Sequence, residues 1–570
     1  MSHSIPGFEL ELHRPDEIYK PPENVQKCAH VSSFDEYQRM YRESLEKPDE
    51  FWTTIAKEMH FESLTDRGLE YNFDKAKGEI FIRFMAGSKT NVAWNCLERN
   101  LKRGLGDKIA FYWEGNEDGD DGSITFAELT AQVKRFGAVL KSKGVQKGDR
   151  VAIYLPMVLE LPVAMLACAW IGAIHSVVFA GFSAESLASR IEDAQSKVLI
   201  TADANLRGPK LIHLKGIADN AMHKCKDRGC PVETCIVVRH LHRVTLNSAA
   251  KPPKIAFNPP VDVYWDELMA QHAQSEAPVE WLDAEDPLFM LYTSGSTGKP
   301  KGVVHTQAGY MTYAYATTKY VFDAHPQDVY WCTADCGWIT GHTYILYGPL
   351  LNGITGIVFE GVPGHPDPGR YWKVVEKYKV TKIYTAPTAI RSLMAFKEEF
   401  VKRHDRSTLS ILGTRKTSRT VRRLLWSVGW TALLSWPILA ASGMQLLFLT
   451  RASQLLHYWT SALEEATKKG VLEIDCQQVI RLLSCLLLLI PLSIGAELAW
   501  MLRATVEPIL ALAQDSKLRA AFFSWLTWHK RCTFTSVKKG SAEDRGASKK
   551  SSRSENSAAT QLTTIAERRQ

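Results

Sequence analysis

Residues 292–302 read Tyr-Thr-Ser-Gly-Ser-Thr-Gly-Lys-Pro-Lys-Gly and follow an apolar run at residues 287–291. The glycines and small hydroxyl residues favour a loop whose backbone N–H groups surround an anion, and the lysines add positive charge. The glycine spacing and the proline after Lys299 differ from the pattern of P-loop NTPases. A glycine-rich surface linker is the alternative interpretation. We predict that the loop binds a polyphosphate through Thr293, Ser294, Gly295, Ser296, Thr297, Gly298, Lys299 and Lys301.

Upstream of this loop, from about residue 91, short apolar runs alternate with helical patterns. Residues 151–155, 176–180 and 197–201 predict buried strands, and residues 158–172 have the apolar spacing of a helix. Strands that alternate with helices are typical of a wound parallel sheet. We therefore predict an α/β fold built on wound parallel sheets.

A second unit of the same kind is predicted for residues 286–414, with its last strand at residues 409–412. The stretch between the two units, residues 243–280, is rich in Pro and Ala and is expected to loop out. The acidic residues 117–122 suggest a calcium loop, but the Glu expected at the twelfth position is lacking. A solvated turn between strands is therefore the favoured interpretation.

The composition of the 570-residue chain is ordinary for a globular protein, and its length allows two or more domains. The formal net charge of +7 is concentrated after residue 415, so it does not indicate nucleic-acid binding. Cys332 and Cys336 have no second pair at zinc spacing, which favours reduced thiols and no metal site. The acidic first 22 residues lack the apolar core of a secretory signal. We expect a cytoplasmic protein with access to the nucleus.

The loop at residues 292–302 resembles the phosphate loop of the adenylate-forming enzymes, and further motifs narrow the resemblance to the acetyl-CoA synthetases. The resemblance extends from about residue 34 to Thr414. Its motifs are W-C-T-A-D-C-G-W-I-T-G-H at 331–342, Y-G-P-L at 347–350, F-E-G-V-P at 359–363, Y-T-A-P-T-A-I-R at 384–391, F-Y-W-E-G at 111–115 and K-G-D-R-V at 147–151. The resemblance implies the adenylate-forming large-domain fold and an AMP-forming acetate–CoA ligase. Such an enzyme converts acetate, ATP and coenzyme A (CoA) to acetyl-CoA, AMP and pyrophosphate through acetyl-adenylate.

The resemblance also implies roles for individual residues. The loop at 293–301 would hold the β- and γ-phosphates of ATP, and Mg²⁺ would share their charge. Asp335 and His342 are expected to be structural, hydrogen-bonded residues. From the residues alone, 207–210 is a surface turn and Trp338 is a core aromatic. The implied CoA site consists of Arg207, Gly208, Pro209, Lys210, Thr340 and Gly364, and the implied acyl pocket consists of Trp338, Ile339 and Thr340.

The sequence departs from the family after Thr414. There the family continues with Val-Gly-Glu-Pro, whereas this chain reads Arg-Lys-Thr-Ser-Arg at 415–419. The adenylation lysine of the family has no counterpart, so the catalytic residue is unassigned. Residues 424–450 and 482–502 are apolar runs long enough to cross a bilayer, and the basic residues around them predict a hairpin with both ends in the cytosol. Buried helices of a soluble domain are the alternative.

We therefore expect an amino-terminal extension at residues 1–90 and a truncated adenylate-forming (AMP-binding) domain at 91–414. A basic and apolar region at 415–529 and a disordered tail at 530–570 would follow. The expected partners are acetate, ATP and CoA, with no nucleic acid and, through the hairpin, a membrane. Two alternatives to an active ligase stay open. One is a catalytically inactive truncated ligase fused to a membrane hairpin, and the other is a tail produced by a shifted frame, a retained intron or a joined gene model.

Overall fold

The computed structural model describes residues 23–245, 254–293 and 300–414. All of them belong to one compact unit, Met1–Lys416. Two large, mostly parallel sheets form its centre, and helices connect their strands. This architecture confirms the predicted α/β class and is consistent with the adenylate-forming fold. The predicted spans 424–450 and 482–502 and the predicted tail lie outside the described residues.

The first large sheet has seven strands and is parallel except for the hairpin at one edge. This hairpin pairs the strand that precedes the glycine-rich loop with the strand that follows it. Across the sheet, the strands are Asp262–Tyr264, Thr234–Val238, Val198–Ala202, Arg150–Tyr154, Ile174–Val177, Pro287–Thr293 and Lys301–Thr306.

The second large sheet has six strands and is also parallel except for one edge pair. Three further antiparallel pairs are small: Leu69–Asn72 with Phe81–Phe84, Asn205–Arg207 with Lys210–Ile212, and Lys89–Thr90 with Leu282–Asp283. Across the six-stranded sheet, the strands are Ile411–Thr414, Lys382–Thr385, Val329–Cys332, Thr355–Phe359, Ile109–Glu114 and Asp121–Thr125.

The two units predicted from the sequence exchange strands. The early strand Ile109–Glu114 pairs in parallel with the late strand Thr355–Phe359. A Cβ at Gly356 would lie only 2.8 Å from the nearest ring atom of Phe111, so glycine is required for this pairing. Conversely, Pro287–Thr293 and its hairpin partner join the seven-stranded sheet. The chain therefore closes each sheet with strands from the other half of the sequence.

The predicted strands near residues 151–155 and 197–201 are confirmed, each shifted by one residue. The strand expected at 176–180 instead begins and ends earlier, at Ile174–Val177, and the strand expected at 409–412 is Ile411–Thr414. The helix predicted at 158–172 is observed as Glu160–Trp170 and is buried on nearly every side. It packs against the helix Phe126–Ser142 in the centre of the unit.

The expectation that residues 243–280 loop out is wrong for part of that stretch. Asp262–Tyr264 forms an edge strand of the seven-stranded sheet, and the helix Trp265–Gln271 follows it. Trp265 is buried and stacks on Phe136, with ring centroids 3.8 Å apart. Aromatic burial of this kind outweighs the weak local strand signal.

The turn at residues 117–122 joins two strands, as predicted, but it is more than a solvated turn. Asp120 is 7% exposed and accepts a hydrogen bond from the Thr245 hydroxyl at 2.7 Å. Asp118 lies 2.7 Å from the ammonium of Lys373. These contacts tie the turn to two other segments.

The helices surround the two sheets, and no helix of the described residues is long and apolar enough to cross a membrane. The α-helices are Glu23–Cys28, Phe34–Glu46, Pro48–Ala56, Val92–Cys96, Glu98–Lys102, Phe126–Ser142, Glu160–Trp170, Ala184–Ala194, Leu214–Asp227, Trp265–Gln271, Gln307–Ala316, Ile339–Gly341, Gly348–Asn352, Arg370–Tyr378, Pro387–Leu393 and Glu399–Lys402. Short 3₁₀ turns at Lys75–Lys77 and Leu241–Arg243 and π-helical turns at Thr317–Val321 and His342–Tyr347 complete the described elements.

Candidate active site

A cleft of about 600 Å³ lies at the carboxyl ends of the parallel strands of the six-stranded sheet. Three neighbouring parallel strands end there: Val329–Cys332, Thr355–Phe359 and Lys382–Thr385. The residues that follow each strand line the cleft. Because open α/β sheets bind ligands outside the carboxyl ends of their strands, the sheet topology makes this cleft the candidate active site.

The segment after Val329–Cys332 brings Trp338, Ile339 and Thr340 to the cleft. Trp338 is 47% exposed and Ile339 is 41% exposed, so the interpretation of Trp338 as a core aromatic is wrong. The Trp338 ring packs on Phe179, with centroids 4.6 Å apart. The three residues predicted for the acyl pocket therefore share one wall, while their role in binding an acyl group remains a prediction.

Two glycines allow the close packing of this wall. A Cβ at Gly341 would lie 2.1 Å from the carbonyl oxygen of Asp335. A Cβ at Gly337 would lie 2.8 Å from the Cβ of Phe179. Both distances are shorter than real Cβ contacts, so only glycine lets the backbone approach so closely.

Asp335 and His342 flank this wall and make the structural hydrogen bonds that the sequence predicted. Asp335 Oδ1 accepts a bond from the Gly337 N–H at 2.7 Å. Burial raises the pKa of Asp335 to about 6, although that bond and the charge of Arg207 act to lower it. His342 is buried with its Nδ1 3.2 Å from the Trp338 carbonyl oxygen, and burial lowers its pKa to about 4. Asp335 also lines the cleft, which the sequence did not indicate.

The predicted CoA-binding turn joins two short antiparallel strands. Gly208 has φ +58°, a left-handed conformation that favours glycine. Arg207, Pro209 and Lys210 are exposed on either side of it. Arg207 also lines the cleft, and its guanidinium carbon lies 5.0 Å from the ring centroid of Phe179. The structure thus brings one cation of the turn to the predicted acyl wall.

The other predicted CoA residue, Gly364, lies just beyond this cleft. It is exposed and follows Pro363, which lines the cleft. Apart from its chain neighbours, no heavy atom of the described residues lies within 4 Å of the position that a Cβ would take. The described part of the chain therefore leaves open space beside Gly364.

The glycine-rich loop is the connection of a β-hairpin. Thr293 ends one strand and Lys301 begins the next, and the two residues face each other in antiparallel register. Both are exposed. Phosphate binding by the loop remains a prediction, because the residues between them that were assigned to it lie outside the described part: Ser294, Gly295, Ser296, Thr297, Gly298 and Lys299.

Sequence reasoning missed Glu360, which lines the cleft from the F-E-G-V-P motif. Glu360 Oε1 lies 2.8 Å from His240 Nε2, and His240 Nδ1 accepts a hydrogen bond from Arg243 Nε at 3.1 Å. The latter bond places the His240 proton on Nε2, so the imidazole donates to Glu360. Arg243 in turn pairs with Glu160 at 2.7 Å. A polar residue directly after a buried strand was the signal that could have identified Glu360.

Outside the cleft, the described residues include one group at metal-ligand spacing: His30, Asp323 and His325, whose ligand atoms lie within 4.8 Å of one another. The two imidazole rings stack 4.4 Å apart at 16°. His30 Nε2 lies 2.8 Å from the Ala324 carbonyl oxygen, and His325 Nε2 lies 3.2 Å from Asp323 Oδ2. Cys332 and Cys336 are buried thiols without a disulfide partner.

Comparisons with known proteins agree with this geometry. Residues 97–435 match the family model described as AMP-binding enzyme, and residues 37–96 match the Acetyl-coenzyme A synthetase N-terminus. The family match thus continues past Thr414, where the resemblance was predicted to end.

Several curated relatives are Acetyl-coenzyme A synthetases. That of Drosophila melanogaster is 54% identical over 401 residues, which cover 70% of this chain and 60% of the relative. The chloroplastic/glyoxysomal enzyme of Arabidopsis thaliana is 50% identical over 409 residues, which cover 72% of this chain and 54% of the relative. The acetyl-coenzyme A synthetase of Dictyostelium discoideum is 48% identical over 397 residues, which cover 70% of this chain and 56% of the relative. The chain therefore spans between about half and three fifths of the length of these relatives.

The first of the family matches covers more than half of the 570 residues. Motifs within the matched residues form the walls of the cleft, and strands within them form the end of the sheet where the cleft lies. The chain belongs to the AMP-binding enzyme family.

Proposed function

We propose that the chain is an AMP-forming acetate–CoA ligase. Acetate would attack the α-phosphorus of ATP, release pyrophosphate and form acetyl-adenylate. The CoA thiol would then attack the acetyl carbonyl, lose its proton and release AMP, leaving acetyl-CoA. The observation that carries the proposal is the single cleft that combines Trp338, Ile339 and Thr340 with the cation Arg207.

The adenylation step needs charge neutralisation more than a general base, because the carboxylate of acetate is already the nucleophile. Thr293 and Lys301 fix the two ends of the hairpin loop predicted to hold the β- and γ-phosphates. In this proposal, Mg²⁺ arrives bound to the phosphates of ATP. That role fits the described cleft residues, among which no metal-ligating cluster occurs. The catalytic lysine of the family stays unassigned in this chain.

The transfer step needs CoA held with its thiol near the acyl wall. Arg207 and Lys210 are exposed cations on one tight turn, which suits the phosphates of CoA. Thr340 lines the cleft as part of the proposed acyl pocket, and the described residues leave open space beside Gly364 at the margin of the cleft. In this arrangement the pantetheine arm would run along the cleft toward Trp338.

The test is acetate-dependent exchange of labelled pyrophosphate into ATP by the purified full chain, followed by acetyl-CoA formation after CoA is added. The double variant Arg207→Ala with Lys210→Ala separates the half-reactions. It should keep the exchange and raise the KM for CoA, because the two cations act only in transfer. Absence of exchange by a chain shown to be folded by circular dichroism would overturn the proposal. Loss of exchange in the double variant alone would contradict the assigned role of the turn.

Acetate, ATP and CoA are the proposed partners. A location in the cytoplasm with access to the nucleus remains a prediction from the sequence. The membrane hairpin at 424–450 and 482–502 remains a prediction from the sequence.

A further inference from the structure

One buried amide side chain holds the turn at residues 207–210. Asn116 is 1% exposed. Its Oδ1 accepts a hydrogen bond from the Gly208 N–H at 2.7 Å, and its Nδ2 donates to the Gly208 carbonyl oxygen at 3.0 Å. The two bonds fix the backbone on both sides of a residue in the left-handed conformation. The orientation of the flanking cations therefore depends on Asn116.

Asn116 itself is fixed to the six-stranded sheet. Buried Arg370 donates to the Gly115 carbonyl oxygen at 2.7 Å and pairs with Glu114 at 2.7 Å. A Cβ at Gly115 would lie 2.7 Å from the Cβ of Asp120, so the backbone before Asn116 is tightly packed. The amide is thus carried by a rigid support.

The same segment also holds the loop that follows the F-E-G-V-P motif. Asn116 Nδ2 donates to Glu117 Oε1 at 2.8 Å, and that oxygen lies 2.7 Å from His365 Nε2. The turn and this loop are in contact, since a Cβ at Gly208 would lie 3.3 Å from Val362 Cγ2. Val362 lines the cleft. The segment at 115–117 therefore sets the position of the turn relative to one cleft wall.

We infer that Asn116 is a positioning residue for CoA, which presents Arg207 and Lys210 at a fixed separation for the CoA phosphates. The inference rests on the proposed function of the turn. Asn116 does not line the cleft, so it acts through Gly208 and not on the ligand. A turn held in advance avoids an ordering cost on binding, and this preorganisation contributes to affinity.

The test is calorimetric titration of the full chain with CoA, at low and at physiological ionic strength. Asn116→Asp loses both amide donors and places a carboxylate beside the Gly208 carbonyl and Glu117. We expect CoA affinity to fall by about tenfold or more. We also expect its dependence on salt to become weaker, because the phosphates lose their ordered cations. Asn116→Ser, which removes the bonds without adding charge, should show the same direction if Asn116→Asp does not fold.

Asn100→Asp is the matched control. Asn100 is fully buried, and its Nδ2 donates to the carbonyl oxygens of Leu350 at 2.7 Å and Cys96 at 2.8 Å, outside the turn. Arg103 Nη1 donates to Asn100 Oδ1 at 3.1 Å and would pair with the new carboxylate, while the two carbonyl oxygens lose their donor. The variant should leave CoA affinity and its salt dependence unchanged, whatever its melting temperature. A structural role of Asn116 alone would not separate the two variants.

Three outcomes would overturn the inference. Equal CoA affinity and equal salt dependence in Asn116→Asp and the unsubstituted chain would remove the role of Asn116 and leave the proposed function intact. Equal weakening by the Asn100 variant would reduce the effect to general destabilisation. No binding of CoA to the unsubstituted chain at millimolar concentration would remove the inference together with the CoA half of the proposed function. Pyrophosphate exchange would still report on the adenylation half.

Discussion

Replacing Gly341 by alanine should disrupt the acyl wall more than a glycine-to-alanine substitution elsewhere in that wall. The new Cβ would lie 2.1 Å from the Asp335 carbonyl oxygen and 2.6 Å from the Cys336 nitrogen. Ordinary contact begins at 3.4 Å, so the backbone must move by more than 1 Å. Overpacking of this kind typically destabilises a protein by about 1–3 kcal/mol. A displacement of about 1 Å near reacting groups can reduce the rate about a hundredfold.

The assay is denaturant unfolding of the full chain together with acetate-dependent pyrophosphate exchange. The control is Gly216→Ala in the helix Leu214–Asp227, where a Cβ would meet no atom of another described element within 4 Å. Alanine favours a helix over glycine by about 1 kcal/mol, so this variant should be as stable as the unsubstituted chain or more stable. Unchanged stability and unchanged exchange in Gly341→Ala would refute the reasoning from the close backbone contact.

Three further predictions concern titratable side chains. The folded-state pKa of His342 is about 4 against 6.5 unfolded, so its contribution to stability is complete above 6.5 and is lost as pH falls. In denaturant unfolding, the free energy of unfolding should fall by about 2 kcal/mol by pH 5, and His342→Gln should lack this decrease. The same pH dependence of stability in both proteins would contradict the prediction. Lys215→Met should cost about 3–5 kcal/mol, since it leaves buried Asp262, 2.8 Å away, without its cation. The exposed-pair control Lys197→Met should cost less than about 1 kcal/mol, and equal costs would refute the argument. CoA affinity should rise as pH falls below about 6, because protonated Asp335 no longer competes with CoA for Arg207. Asp335→Asn should not show this rise. The same pH dependence of CoA affinity in both proteins would exclude the effect.

Local patterns placed the predicted strands to within a few residues. The apolar run at 287–291 and the glycine-rich stretch after it are signals carried by neighbouring residues, and the strand Pro287–Thr293 confirms the first of them. Ser183 likewise caps the helix Ala184–Ala194 through a local contact, since its hydroxyl accepts the Ser186 N–H at 3.3 Å. Such features depend on short-range geometry alone.

Long-range packing explains what the sequence did not reveal. The pairing of Ile109–Glu114 with Thr355–Phe359 joins residues far apart in the chain, and no local pattern indicates that Gly356 accommodates Phe111. Asn116 likewise precedes the acidic turn at residues 117–122 and carries no local signal of its own until Gly208 is brought against it. The resemblance to a family predicted ligand-binding positions, but it did not indicate which buried groups hold those positions in place.

The measurement that most directly tests the central claim is hydrogen–deuterium exchange of the full chain with and without acetate, ATP and CoA. The account predicts slower amide exchange at residues 335–340, which contribute four cleft residues, and at the turn 207–210, whose Arg207 lines the cleft. The hairpin of Leu69–Asn72 with Phe81–Phe84 serves as the reference and should not change. Protection at that hairpin, with the two cleft segments unchanged, would contradict the assignment of the cleft as the substrate site.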